Sequence, residues 1–270
     1  MGERARASAP AFNTHRVTEG DGLWVVLIHG VGLDHEMWSG QAKALSENFS
    51  VLRYDLIGHG DTPAQPGDLE LDDLVAQLAA LLDEEGIPHA HVVGFSLGAL
   101  VAQAFALAHP ERLLRLVLLS GVHDRDGVAR EAVFKRLEQA ERDGPATIAA
   151  AALERWFTDR YRSAHREEVE RVERRLRANE AGGFLSAYRL FARADGQLAG
   201  RLGEIKVPAL VVTGEVDSGS TPDMARRMSK AMSNAECRIV PGARHMLAME
   251  AAEEINAMLK AFLARPEKLL

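Results

Sequence analysis

The sequence predicts an α/β fold: a mostly parallel central sheet flanked by helices, with one helical insertion. Three observations carry this. Short apolar runs alternate with helical stretches along most of the chain, the pattern of parallel strands joined by right-handed crossovers. The runs are rich in Val, Leu and Ile, as strands buried on both faces must be. One interval, between Ser120 and Pro208, contains no such run. One large domain with an insertion accounts for the 270 residues.

The elements follow in order. Leu23–Ile28 is the first run, followed by helical spacing over Asp34–Ser46. Val51–Tyr54 leads to Leu69–Glu85, and His91–Phe95 leads to Leu97–His109. Leu114–Leu119 then enters the strandless interval. Beyond it, Ala209–Thr213 precedes Pro222–Met232, and Cys237–Val240 precedes a last helix from Ala251 to Leu263. Inside the interval, apolar and charged residues recur at helical spacing in Val128–Arg142, Ala146–Phe157, Glu167–Asn179 and Phe184–Ala194. Gly144-Pro145 and Gly182-Gly183 read as punctuation. The expected division is a core of residues 11–121 and 205–265, a helical cap of residues 122–204, and a disordered tail at residues 1–10.

Composition narrows the function classes. Apolar residues make up 47% and charged residues 26%, ordinary values for a globular protein. No apolar run approaches the roughly 20 residues that span a bilayer. Residues 1–22 show no apolar signal core, so a cytoplasmic protein without a membrane partner is expected. The single cysteine, Cys237, makes neither an internal disulfide nor a cysteine-based metal site. A net charge of −7 weighs against a nucleic-acid partner. The acidity belongs to the core: residues 122–204 hold sixteen of the 32 Lys and Arg but only fifteen of the 39 Asp and Glu.

The strongest chemical signal is Gly94-Phe95-Ser96-Leu97-Gly98, between a strand and a helix. A serine on a strand-to-helix turn is held in a strained conformation with its hydroxyl exposed above the sheet. Glycines two residues before and two after avoid collisions across the turn. A serine hydroxyl is a weak nucleophile and needs a base, itself oriented by a third group. Of ten histidines, His245 lies in Pro241-Gly242-Ala243-Arg244-His245, after the last strand and before the last helix. A loop histidine is free to approach Ser96. For the orienting acid, Thr213-Gly214-Glu215-Val216-Asp217 follows a strand and offers Asp217, with Glu215 and Asp124 as rivals. No metal-ligand cluster or dinucleotide fingerprint appears, so no metal and no cofactor are expected.

With these residues in this order, the chain resembles α/β-hydrolase-fold proteins over essentially Phe12 to Leu263. The resemblance implies Ser96 as nucleophile, Asp217 as acid and His245 as base. It also implies that His29-Gly30-Val31-Gly32 is an oxyanion loop, the backbone N–H groups of Val31 and Leu97 being the donors. His29 is then structural, and Asp55-Leu56-Ile57-Gly58-His59-Gly60 resembles a core-shaping turn. His29-Gly30-Val31-Gly32-Leu33-Asp34, the compact insertion and Gly219-Ser220-Thr221-Pro222 are most similar to 3-oxoadipate enol-lactonases and nearby small esterases. A small-molecule ester or lactone is the implied substrate. Those lactonases act on acidic substrates, which points to an arginine of the insertion, Arg189 or Arg193. Aromatic residues from Trp156, Phe157, Phe184, Tyr188 and Phe191 are expected to wall the pocket, with Trp156 and Tyr188 touching substrate. Two departures stand out. Ala99 replaces a final glycine common in enol-lactonases, and Met246 follows the base where carbon–carbon bond hydrolases usually carry Trp. Carbon–carbon hydrolysis is therefore the second reading, followed by cofactor-free haloperoxidase activity and ligand sensing.

Overall fold

The computed structural model describes residues 12–266, and the tail expected at residues 1–10 lies outside them. Seven strands form one sheet: β1 (Arg16–Glu19), β2 (Leu23–Ile28), β3 (Phe49–Tyr54), β4 (Ala90–Phe95), β5 (Leu113–Leu119), β6 (Ala209–Gly214) and β7 (Ala235–Val240). Their spatial order is β1-β3-β2-β4-β5-β6-β7. All neighbours are parallel except β1, which pairs antiparallel with β3 at the edge. Strand β1 is absent from the sequence expectation. Its four residues, Arg-Val-Thr-Glu, are too short and too polar to register as a buried run.

The helices are α1 (Ser39–Leu45), α2 (Leu71–Glu84), α3 (Leu97–Ala108), α4 (Gly127–Asp143), α5 (Ala149–Trp156), α6 (Asp159–Ala164), α7 (Arg166–Arg177), α8 (Ala181–Arg193), α9 (Asp195–Leu198), α10 (Pro222–Ala231), α11 (Leu247–Glu250) and α12 (Ala252–Leu263). The strand residues alternate between two cores, as a period of two requires. Val26, Ile28, Val92, Leu116, Leu118 and Val211 face the layer that includes α2, α3 and α10. Val25, Leu27, Val93, Phe95, Val117 and Val212 face the layer that includes α1 and α12. This two-sided burial explains why the strands read as continuous apolar runs.

Residues 122–204, between β5 and β6, carry α4 to α9. Local chemistry sets their ends. Asp126 caps α4 by accepting from Ala129 N, and the helix stops at Gly144, φ 91°. Thr158 caps α6 and Glu180 caps α8. Gly182-Gly183 is not a break. Both residues lie in the first turn of α8, and a Cβ on Gly183 would press on the backbone of Gly58. The glycine permits a close approach between insertion and core. Further ties are Asn179 Nδ2 to Gly32 O at 2.8 Å and Leu69 N to Ser186 Oγ at 2.8 Å. Phe184, Tyr188 and Phe191 belong to one sheet-face core, and Phe157, Val172 and Leu176 belong to the other. The insertion therefore packs into both layers. No helix among the described residues is long and apolar enough to cross a membrane.

Candidate active site

Ser96 joins β4 to α3 with φ 55° and ψ −110°, a conformation costly for a residue with a side chain. Its surroundings enforce it. Ser96 N donates to Leu119 O at 3.0 Å. A Cβ on Gly94 would collide with Gly98 O, and one on Gly98 with Ile28 O. These two glycines let strand, turn and helix cross at backbone distance, which accounts for the five-residue motif.

His245 lies in the loop between β7 and α11, and its Nδ1 stands 2.7 Å from Asp217 Oδ2. A carboxylate only accepts, so Nδ1 carries the proton and Nε2 is the basic nitrogen. The other Asp217 oxygen accepts from Gly219 N at 2.8 Å and Ser220 N at 3.0 Å, which fixes the carboxylate. Both side chains are nearly inaccessible to solvent. The Phe95 ring, adjacent in sequence to Ser96, packs 4.9 Å from the imidazole of His245. A chain of hydroxyls ties the three loops together. Ser220 Oγ donates to Ser120 O at 2.7 Å, and Ser120 Oγ donates to His245 O at 2.8 Å. The rival acids are placed elsewhere. Glu215 accepts from Gly242 N at an exposed position, and Asp124 is exposed.

The His29–Gly32 loop passes directly over the serine turn: a Cβ on Gly30 would come within 3.2 Å of Ser96 Cβ and closer still to the Phe95 ring. Two buried histidines hold this loop. His29 Nε2 accepts from Leu56 N at 2.9 Å, so its Nδ1–H donates to Gly30 O at 2.8 Å. His59 Nε2 accepts from Gly32 N at 2.9 Å, and its Nδ1–H donates to Ile57 O at 3.2 Å. Each ring thus spends one nitrogen as donor and one as acceptor, a pattern open only to neutral imidazole. Burial lowers the pKa of both, that of His59 to about 3. Val31 lines the pocket described next. Leu97 opens α3, where the first N–H groups lack intrahelical acceptors.

Ser96, Asp217 and His245 line one pocket together with residues of α4, α5, α7 and α8. Trp156 and Tyr188 are in its wall, as are Phe184 and Phe191. Phe157 is not; it is fully buried and stacks on Tyr161. Arg189 and Arg193 are not in the wall either, which corrects the expectation for these two positions. Inward residues of α8 recur as Phe184, Tyr188 and Phe191, and the helical phase turns the two arginines outward. Arg189 pairs with Glu141 at 2.6 Å and Arg193 with Glu70 at 2.7 Å. The pocket's guanidinium groups come from Arg125, Arg136 and Arg155. Sequence reasoning missed these, although Ala129, Ala132 and Arg136 share one helical face at spacings of three and four.

The three arginines differ in charge balance. Arg125 is buried and paired with Asp195 at 2.7 Å, and it also lies over the Phe191 ring. Arg136 Nε donates to Tyr188 Oη at 3.3 Å, and an Arg155 nitrogen donates to Ala151 O at 2.8 Å. Neither makes an ion pair among the described residues. Burial, followed by the nearby charge of Arg136, pulls the Arg155 pKa below the ordinary guanidinium value. Two of the three guanidinium groups at this end of the pocket thus have no ion-pair partner among the described residues.

A separate cluster, His15, His35 and Asp55, brings three possible metal ligands within 4.8 Å. Its carboxylate is already engaged. Asp55 accepts from His35 N and His35 Nδ1, both at 2.8 Å, and from Asp61 N at 2.9 Å. Those bonds anchor the turn after β3.

A sequence profile described as the alpha/beta hydrolase fold matches residues 24–252. (E)-2-((N-methylformamido)methylene)succinate hydrolase of Acinetobacter baylyi is 32% identical over 92% of this chain and 93% of its own. 3-Oxoadipate enol-lactonase 2 of the same organism is 27% identical over 94% of each chain. Among solved structures, the enol-lactonase from Burkholderia xenovorans superposes with a TM-score of 0.86 at 31% identity. That likeness covers 93% of this chain and 96% of the other.

Proposed function

The chain belongs to the α/β-hydrolase fold family, and from that premise we propose that it is a serine hydrolase acting on a small acidic ester or enol-lactone. One observation carries the reading: the Asp217–His245 hydrogen bond leaves Nε2 as the base in the same pocket as Ser96. His245 takes the Ser96 proton as Oγ bonds to the substrate carbonyl carbon. The oxyanion that forms accepts from the N–H groups of Val31 and Leu97. As the intermediate collapses, the acyl–oxygen bond breaks and the imidazolium protonates the departing alkoxide or enolate. Water then repeats the sequence on the acyl-serine, with His245 again as base, and releases the acid. Asp217 holds the imidazole in the required tautomer and stabilises its charged form.

The acidic character of the substrate rests on Arg136 and Arg155. Two guanidinium groups without ion-pair partners among the described residues, in a largely apolar wall, are suited to a substrate carboxylate, which they bind by charge-assisted hydrogen bonds. The names of the two Acinetobacter relatives, a succinate derivative and an oxoadipate lactone, agree with this. The helical cap then sets substrate choice, while the core performs the chemistry. The test is a screen of esters and enol-lactones with and without a remote carboxylate, using Ser96→Ala as control. The expected result is turnover of the carboxylated members and an acyl adduct on Ser96 detected by mass spectrometry. Equal turnover by Ser96→Ala, once contaminating esterase is removed, would overturn the mechanism. Preference for the neutral members would overturn the substrate class.

A further inference from the structure

We propose that Glu250 is a positioning residue that locks the histidine loop to the cap, so that the base and the charged pocket wall are held in one register. The proposal rests on the serine-hydrolase reading above.

Glu250 ends α11, five residues beyond His245. One carboxylate oxygen accepts from Arg244 N at 2.6 Å, the residue before the histidine. The other accepts from Thr158 N at 2.6 Å, in the cap. Arg244 crosses the same seam in the opposite sense, its guanidinium donating to Phe157 O at 2.9 Å and to Glu154 O. Met246 N, on the other side of the histidine, donates to Trp156 O at 3.0 Å. The residues flanking His245 are therefore bound to the main chain of residues 154–158, directly through Met246 N and through the side chains of Arg244 and Glu250. That cap segment contains Arg155 and Trp156, both in the pocket wall, and the Trp156 ring lies 5.9 Å from the imidazole.

The chemistry selects a glutamate. The two N–H groups come from segments far apart in sequence and need two acceptors on one side chain. A glutamine offers one acceptor and sets an amide donor against the other N–H. An aspartate is one methylene too short to hold both at 2.6 Å. Each lost bond to a carboxylate removes an interaction of the stronger, charge-assisted kind. A purely structural glutamate would affect only the fraction of folded protein. A register lock also changes how Arg155 meets the substrate relative to the reacting carbonyl, since small misplacements of a positioning group are costly.

The experiment compares wild type, Glu250→Gln, Glu250→Asp, Arg155→Ala and the double variant Glu250→Gln/Arg155→Ala. Fluorophosphonate labelling counts the competent sites, and kcat and KM are measured for a matched pair of esters with and without a remote carboxylate. Per labelled site, Glu250→Gln is expected to lose at least about tenfold in kcat/KM for the carboxylated ester and less for the neutral one, with Glu250→Asp in between. In the Arg155→Ala background the same change should leave the ratio between the two esters unmoved. Wild-type constants per labelled site in Glu250→Gln would overturn the proposal, as would an equal loss on both esters. A wild type that the fluorophosphonate does not label would overturn the hydrolase reading and this proposal with it. A labelled wild type with an indifferent Glu250 overturns this proposal alone.

Discussion

Ser96 is held by backbone geometry, the His245 carbonyl by the Ser120 hydroxyl, and the Asp217 carboxylate by N–H groups of its own loop. Removing one of these side chains should therefore leave the fold almost intact. Ser96→Ala and His245→Ala are each expected to lower kcat by about 10⁴–10⁶-fold with a nearly unchanged melting temperature, because such groups act as a unit. Asp217→Asn keeps the shape but offers the wrong partner to Nδ1, and should cost up to about 10⁴-fold. Glu215→Gln, whose carboxylate meets Gly242 N at the surface, should cost little. A larger loss from Glu215→Gln than from Asp217→Asn, in parallel kcat measurements, would reassign the acid. That Ser96, Asp217 and His245 meet in one pocket was legible in the sequence because each follows a strand end with a local signature. The arginines were not. Arg189, Arg193, Arg136 and Arg155 all sit on amphipathic helices, and composition does not reveal which side of a helix faces a cavity. Only the packing of Phe184, Tyr188 and Phe191 settles the phase of α8.

At the scale of elements, the six parallel strands were legible because two-sided burial makes them apolar throughout. Strand β1 was hidden by its edge position: only one neighbour pairs with it, so its residues are half-buried or, at Thr18, exposed, and polar side chains are tolerated there. Helix α6 was hidden because six residues between Thr158 and His165 are too few for a periodic signal. Gly182-Gly183 misled because glycine marks both chain breaks and close backbone contacts. Gly183→Ala is thus expected to push α8 off Gly58, lower the melting temperature and disturb the pocket wall, whereas Gly200→Ala, with open space around its Cβ, should not. Paired thermal melts decide this. Helices α4 and α5 bring Arg136 and Arg155 to the pocket. Arg136→Ala and Arg155→Ala should each raise KM for a carboxylated substrate by about tenfold to a hundredfold. KM for a neutral ester should stay near wild type, and equal changes on both substrates would remove the charge argument.

For the whole molecule, the buried histidines set the response to acid. Burial lowers the pKa of His29, of His59 to about 3 and of His91 to about 4. The unfolded chain takes up these protons near pH 6.5, while in the native state His59 and His91 resist until about pH 3 and 4 and His29 is shifted the same way. Stability is therefore full above about pH 6.5 and declines as pH falls toward 4, by up to about 1.4 kcal/mol per pH unit for each of His59 and His91, with His29 adding in the same sense. His35 acts in the opposite sense, because its bond to Asp55 raises its pKa and favours the native state on acidification. Burial lowers the pKa of His123 as well, and four groups outweigh one, so denaturant melts between pH 7 and 4.5 should show falling stability, and His59→Gln should flatten the slope. An unchanged slope in that variant would show that His59 is not the group responsible. The sheet also bears on how the molecule could be altered by evolution. Leu116–Leu119 of β5 and Ala209–Val212 of β6 lie side by side in parallel register, so everything between them is an excursion that leaves and returns to adjacent points. The entropy of closing such a loop grows only logarithmically, about 0.6 kcal/mol for each doubling of its length. Chain closure therefore sets little limit on the length of the excursion; the larger cost of changing it lies in the side chains it contributes to both core layers. A different helical array could thus hang between the same two strand ends if it refills both layers, with the strands that lead to Ser96, Asp217 and His245 left as they are.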